Sequence, residues 1–160
     1  MRIAIGSDHR GFSLKTHLAQ VLAQWDHEVV DVGTDSEESI DYPDIASAVG
    51  SQVSQEQVDR GILICGTGIG MAITANKFSG VRAAPCGNSE TAEVSRRHND
   101  LNVLCLPAND LDSETQTDML VRIWLDTPFD AGRHARRLEK ITALEKPTAR
   151  NGPGDPSSCS

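Results

Sequence analysis

Gly61-Ile62-Leu63-Ile64-Cys65-Gly66-Thr67-Gly68-Ile69-Gly70-Met71 carries an apolar run into a glycine-rich turn, with a cysteine at the junction. Ile62 to Ile64 read as a strand buried on both faces, and the run from Ile69 to Lys77 reads as a helix. Gly66 to Gly70 then link strand to helix. Three glycines let the backbone bend tightly and leave amides free to face a ligand. Such amides at the start of a helix favour anionic oxygens and stabilise a nearby thiolate, so a reactive Cys65 is physically plausible.

The same unit repeats along the chain. Short apolar runs predict strands at Arg2 to Gly6, Glu28 to Gly33, Arg60 to Cys65, Val81 to Pro85 and Asn102 to Leu106. Helical patterns lie between and after them: Gly11 to Trp25, Pro43 to Glu56, Ile69 to Lys77, Ser89 to His98, Ser113 to Leu125 and Gly132 to Glu145. In the first helix Phe12, Leu14, Leu18, Val21, Leu22 and Trp25 supply an apolar stripe for core packing. The alternation specifies an α/β protein, a three-layer Rossmann-like fold with a five-stranded parallel sheet and helices on both faces. Open parallel sheets bind ligands at the carboxyl ends of their strands. Polar residues are expected to collect there: Asp8, His9 and Arg10 after strand one, Cys65 and Thr67 after strand three, and Arg96 to Asp100 reached from strand four through a helix.

The 160 residues fit one domain, expected over residues 1–146. Residues 147–160 hold three prolines, two glycines and three serines with no apolar period, and read as a disordered tail. A formal charge of −8 with a sequence pI near 5.0 argues against a nucleic-acid footprint. Cys65, Cys86, Cys105 and Cys159 show no C-x-x-C spacing and read as reduced thiols of a cytoplasmic protein. No signal-like segment opens the chain and no run is long enough to span a bilayer, so no membrane association is expected.

Several motifs are excluded. Gly66, Gly68 and Gly70 approach a dinucleotide fingerprint, but G-x-G-x-x-G needs a glycine where Met71 stands, and no Gly-Lys-Ser/Thr follows for a nucleotide phosphate loop. Gly66-Thr67-Gly68 is no serine nucleophile elbow. The five histidines, His9, His17, His27, His98 and His134, form no close metal-ligand pattern, so neither a metal nor another cofactor is expected. Each remaining candidate also has a structural reading. Cys65 could simply end a core strand as a small hydrophobe. Asp8 could cap a helix, while His9 has less structural reason to stand beside it. His98 ends a helix, where the dipole favours its cationic form, and Asn99 is a common helix-stop residue. Arg133 and Arg137, four apart on one helical face, could share one phosphate, whereas His134 and Arg136 would point elsewhere.

Taken together, Asp8-His9-x-Gly11, Asp41-Tyr42-Pro43, the Gly61 to Gly70 run, Asn76-Lys77, Ser95-Arg96-x-His98-Asn99-Asp100-x-Asn102-Val103-Leu104 and Gly132-Arg133-His134 resemble type B ribose-5-phosphate isomerases in order and spacing, from residue 1 to about 145. The resemblance implies a metal-independent aldose–ketose isomerase that interconverts ribose 5-phosphate and ribulose 5-phosphate through an enediolate. It implies Cys65 as the catalytic base, Thr67 and the amides of Gly66, Gly68 and Gly70 around the enediolate oxygen, and His98 opening the furanose ring. Asn99, Asp8 and Tyr42 would contact sugar oxygens, and His9, Arg133 and Arg137 the phosphate. A homodimer or tetramer is implied, with His98 and Asn99 reaching the site across the subunit interface.

One position departs from the family. Where its members carry Gly-x-Arg after the Asn-Val-Leu strand, an arginine that helps hold the phosphate, Leu106-Pro107-Ala108-Asn109-Asp110 places Asn109. Relatives on the same framework act on galactose 6-phosphate and allose 6-phosphate. An isomerase of a different sugar or hexose 6-phosphate therefore stays open beside the ribose 5-phosphate reading, as does a non-catalytic sugar-phosphate-binding module.

Overall fold

Arg60–Cys65 (β3) is the middle strand of the sheet in the computed structural model, which describes residues 1–145. The expected tail, 147–160, lies outside the described residues. The other strands are Arg2–Ser7 (β1), Glu28–Asp31 (β2), Ala83–Pro85 (β4) and Val103–Pro107 (β5), in the order β2-β1-β3-β5-β4. Every pairing is parallel. Six α-helices follow the strands: Phe12–Gln24 (α1), Tyr42–Ser54 (α2), Ile69–Ala75 (α3), Ser89–Asn99 (α4), Glu114–Asp126 (α5) and Arg133–Thr142 (α6). The α/β class and the five-stranded parallel sheet are as the sequence implies.

Side chains of a strand alternate between faces, and here both faces are covered, which is why the strands read as unbroken apolar runs. On one face Ile3, Ile5, Ile62, Ile64, Leu104 and Leu106 meet Leu18 and Leu22 of α1 and Leu120 and Trp124 of α5. On the other, Ala4, Leu63, Cys65, Val103 and Cys105 meet Ile45 and Val49 of α2 and Met71 and Ala75 of α3. Cys65 therefore belongs to a packed layer even as it ends its strand. Ser113 and Asn88 cap α5 and α4, their side chains accepting from Gln116 N at 3.3 Å and Thr91 N at 2.8 Å.

Several boundaries shift, the start of the fourth strand for an identifiable reason. The fourth strand begins at Ala83 rather than Val81, because Arg82 is diverted to the chain before β5: its N–H donates to Asn102 Oδ1 at 2.7 Å and its carbonyl accepts from Asn102 and Val103. The second strand ends at Asp31, although Val32 and Thr34 still donate to Ile5 and Ser7 carbonyls of β1. A 3₁₀ turn, His9–Gly11, precedes α1, and another, Ala143–Glu145, completes the last helical segment.

Within α1 the stripe keeps Leu18 and Leu22 fully buried, with Leu14 and Trp25 at its margins. It also buries Lys15, only 3% exposed, whose ammonium is paired with Asp31 at the end of β2 and lies over the Phe12 ring. Asp31 in turn accepts from Gly33 N at 2.9 Å. Asp31→Ala is expected to cost about 2–3 kcal/mol, because it strands a buried cation; the partial exposure of Asp31 keeps the loss at the low end for such pairs. Chemical denaturation reads it, and an unchanged midpoint would show that Lys15 finds water without cost.

Candidate functional site

The strand order reverses between β1 and β3: α1 leads from β1 to β2 on one side, while the chain returns to place β3 on the other. The crevice beyond the carboxyl ends of these two strands is where such sheets take ligands. Asp8 N donates to Ile64 O at 3.1 Å, closing the end of β1 onto β3. Asp8 Oδ1 accepts from Arg10 N at 2.9 Å and Gly11 N at 3.2 Å, so Asp8 caps the 3₁₀ turn. His9 beside it has Nδ1 buried with no hydrogen-bond partner, as is Ser7 Oγ. Buried polar atoms are nearly always paired, so two orphans at the end of one strand set this edge apart from ordinary core.

Cys65 is 6% exposed, and its Sγ accepts from Gly68 N at 3.1 Å. A fixed backbone N–H donor thus stands against the sulfur. Cys86 and Cys105 are buried as well, and burial pushes both thiols up, Cys105 well above the ordinary value. Gly68 has φ of 71°, a left-handed conformation that strains any residue with a side chain, and this bend turns its N–H back toward the sulfur. Thr67 projects into solvent and its Oγ1 accepts from Ile69 N at 3.4 Å. The Tyr42 ring, at the start of α2, lies over Gly70, 2.7 Å from where a Cβ there would stand. From the next strand, Ala108 N and Asn109 N donate to the carbonyls of Cys65 and Gly66 at 2.9 and 3.0 Å, pinning the loop to the end of β5. Asp8, His9, Tyr42, Cys65, Gly66, Thr67, Gly68 and Gly70 thus gather around one crevice.

His98 and Asn99 are elsewhere. Helix α4 runs back along the sheet, Asp100 stops it with φ of 45° one residue beyond Asn99, and Asn102 O accepts from Gly61 N at 2.9 Å. That segment therefore lies at the start of β3, while Cys65 lies four residues on, about 13 Å along the strand. The expectation that Arg96 to Asp100 collect at the carboxyl ends is corrected: parallel strands require the helix between them to return to the amino ends. Arg96 is largely buried there, its guanidinium bound to Leu101 O at 2.7 Å and Asp100 Oδ1 at 2.8 Å.

A second correction concerns His134. Rather than pointing away, it is buried at the first turn of α6 and stacks on His98, ring centroids 4.3 Å apart and planes 5° from parallel. Burial lowers its pKa below the usual histidine value; the neighbouring His98, Arg133 and Arg137 add to this and Asp130 opposes it. Arg133 Nε approaches His134 Nε2 at 3.4 Å as a donor, which suits a neutral ring. Nothing in the local sequence pairs His98 with His134, since only the packing of α6 on α4 joins them. Arg133 and Arg137 sit exposed beside this stack. The residues expected to act together thus form two groups at opposite ends of the sheet within one chain.

A cavity of about 640 Å³ lies beside the start of β4, lined by Lys77, Phe78, Arg82, Asn99, Leu138 and Ile141. It touches Asn99 but is lined by neither a cysteine nor a histidine, so the chemistry is assigned to the Cys65 crevice. Among the described residues no His/Cys/Asp/Glu group could hold a metal ion, and no helix is long and apolar enough to cross a membrane. What the crevice offers is one sulfur base beside amide donors, a combination suited to moving a proton at carbon next to a carbonyl.

Comparison with known proteins agrees. A family model described as ribose/galactose isomerase matches residues 3–141. The chain is 46% identical over 145 residues to ribose-5-phosphate isomerase B of Escherichia coli K12, covering 91% of this chain and 97% of that one. Among solved structures, ribose-5-phosphate isomerase B of Clostridium thermocellum superposes with a TM-score of 0.89 at 46% identity, over 91% of this chain and 98% of the other. The Mycoplasma genitalium enzyme with bound ribulose 5-phosphate superposes with a TM-score of 0.88 at 40% identity, over 92% and 97%.

Proposed function

The chain belongs to the ribose/galactose isomerase family, and from that footing we propose that it interconverts ribose 5-phosphate and ribulose 5-phosphate with Cys65 as the base. The observation that carries this reading is the Gly68 N–H held 3.1 Å from Cys65 Sγ at the crevice between β1 and β3. Sulfur removes the proton from C2 of the open-chain aldose, the electron pair moves to give an enediolate, and the same sulfur returns the proton to C1. The hydroxyl proton passes from the oxygen on C2 to that on C1, a transfer assigned to Thr67. Loop amides of Gly66 to Gly70 meet the anionic oxygen, and fixed donors at that position lower the barrier because they need no reorganisation. Asp8 and Tyr42 contact sugar oxygens, and His9 the phosphate.

His98 and Asn99, with Arg133 and Arg137, are assigned to the site of a second copy of the chain. Their separation from Cys65 within one chain supports a shared site, hence a homodimer or a tetramer of dimers. His98 opens the furanose ring, Asn99 holds a sugar oxygen, and the two arginines hold the phosphate. The reading needs no cofactor, places the protein in the cytoplasm and treats residues 1–146 as one catalytic domain. Asn109 favours one alternative specifically, a hexose 6-phosphate on the same scaffold. An isomerisation assay over pentose and hexose phosphates, run with and without chelator, separates them: ribose 5-phosphate should give the highest kcat/KM, unaffected by chelation. A clear preference for a hexose phosphate would overturn the sugar assignment, and activity lost to the chelator and restored by a divalent ion would overturn the metal-free mechanism.

A further inference from the structure

Arg10 lies in the 3₁₀ turn after β1, its backbone N–H bound to Asp8 Oδ1 at 2.9 Å. That anchor sends the side chain across Gly66, the residue next to Cys65. Arg10 Cδ and Nη1 lie 3.2 and 3.4 Å from the point where a Gly66 Cβ would stand, and Asn109 Nδ2 lies 3.0 Å from the same point. Two side chains from different loops thus bring N–H donors, one of them cationic, to one spot above the glycine. Among the described residues the Arg10 guanidinium has neither an ion pair nor a hydrogen bond. This leaves an unpaired cation beside the base in a chain with a formal charge of −8. The neighbouring His9 Nδ1 is likewise buried without a partner. A methyl group on Gly66 would press on both donors; an anionic oxygen would be held by them.

We propose that Arg10 and Asn109 join His9 in the phosphate contact on the Cys65 side of the site, with Arg10 supplying a permanent positive charge. This rests on the sugar-phosphate reading above and assigns it a residue of this chain's own. Asn109 then keeps a donor at the mouth while the cation comes from the β1 loop. A planar guanidinium can offer two parallel N–H groups to a phosphate, which an ammonium cannot.

Arg10→Ala, Arg10→Gln and Arg10→Lys test it, with inorganic phosphate as a calorimetric probe and ribose 5-phosphate as substrate. Removing the charge should weaken phosphate binding about 10- to 100-fold, the scale of a charge-assisted hydrogen bond, and raise KM in parallel while kcat stays within about twofold. Arg10→Lys should fall between, and Asn109→Arg added to Arg10→Ala should recover phosphate affinity, which a general loss of structure would not allow. If Arg10→Ala folds poorly, Arg10→Gln gives the same reading with the side-chain length kept. Unchanged phosphate affinity and KM in folded Arg10 variants, or a fall confined to kcat, would overturn the proposal. The two readings separate cleanly: a wild type inactive on ribose 5-phosphate whose phosphate affinity still depends on Arg10 removes the sugar assignment alone, whereas an active wild type indifferent to Arg10 removes this inference alone.

Discussion

Cys65→Ser is expected to fold as the wild type does and to lose at least ~100-fold in kcat, the usual scale of an acid–base contribution. Serine fits the same space at the end of β3, and Gly68 N can donate to its oxygen as it does to sulfur at 3.1 Å. What changes is acidity: a hydroxyl holds its proton far more tightly than a thiol, so the base is missing at neutral pH. Thermal unfolding should therefore match the wild type while turnover collapses. Alkylation of the native enzyme at Cys65 should mirror the substitution and be slowed by bound sugar phosphate, whereas Cys86 and Cys105, whose thiols burial pushes up, stay protonated and react slowly. Turnover close to wild type in Cys65→Ser would take the base role from Cys65.

The second large effect is a rescue. Cys65→Ser and His98→Ala should each be nearly inactive alone. When the two are mixed under conditions that exchange subunits, a shared site gives each mixed dimer one crevice with both residues intact and one with neither, so activity should return toward about a quarter of wild type. Sites complete within one chain would show no rescue, since every chain would still lack one residue. The geometry favours rescue because α4 carries His98 to the amino end of the sheet while Cys65 closes the carboxyl end of β3.

The sheet was legible because its strands are buried on both faces. Ile62 to Ile64 and Val103 to Leu106 could not be half-exposed strands, and the helical periods between them left only parallel crossovers. Cys65 and its loop were legible for the same reason: a strand-to-helix turn rich in glycine has few structural uses. Lys15 was not, since a lysine on the apolar stripe of α1 is read as solvated until its partner, Asp31, is brought beside it by β2. The His98–His134 stack was hidden because two helix ends, distant in sequence, make it by tertiary packing. The placement of Arg96 to Asp100 failed for a different reason. They do form a polar cluster, but a helix between parallel strands must return to the amino edge, which the strand ends alone do not reveal. Arg10 is legible as a polar residue at the ligand end but not in its role, which depends on Gly66 and Asn109, and these meet it only in three dimensions.

Whether Cys65 carries a proton between adjacent carbons of ribose 5-phosphate can be read by running the reaction in D₂O and following the substrate and product by NMR. Wild type should form ribulose 5-phosphate with deuterium entering at C1 to the extent that the sulfur proton exchanges with solvent, and Cys65→Ser should neither form product nor label carbon at a comparable rate. Carbon labelling and product formation undiminished in Cys65→Ser would contradict that role.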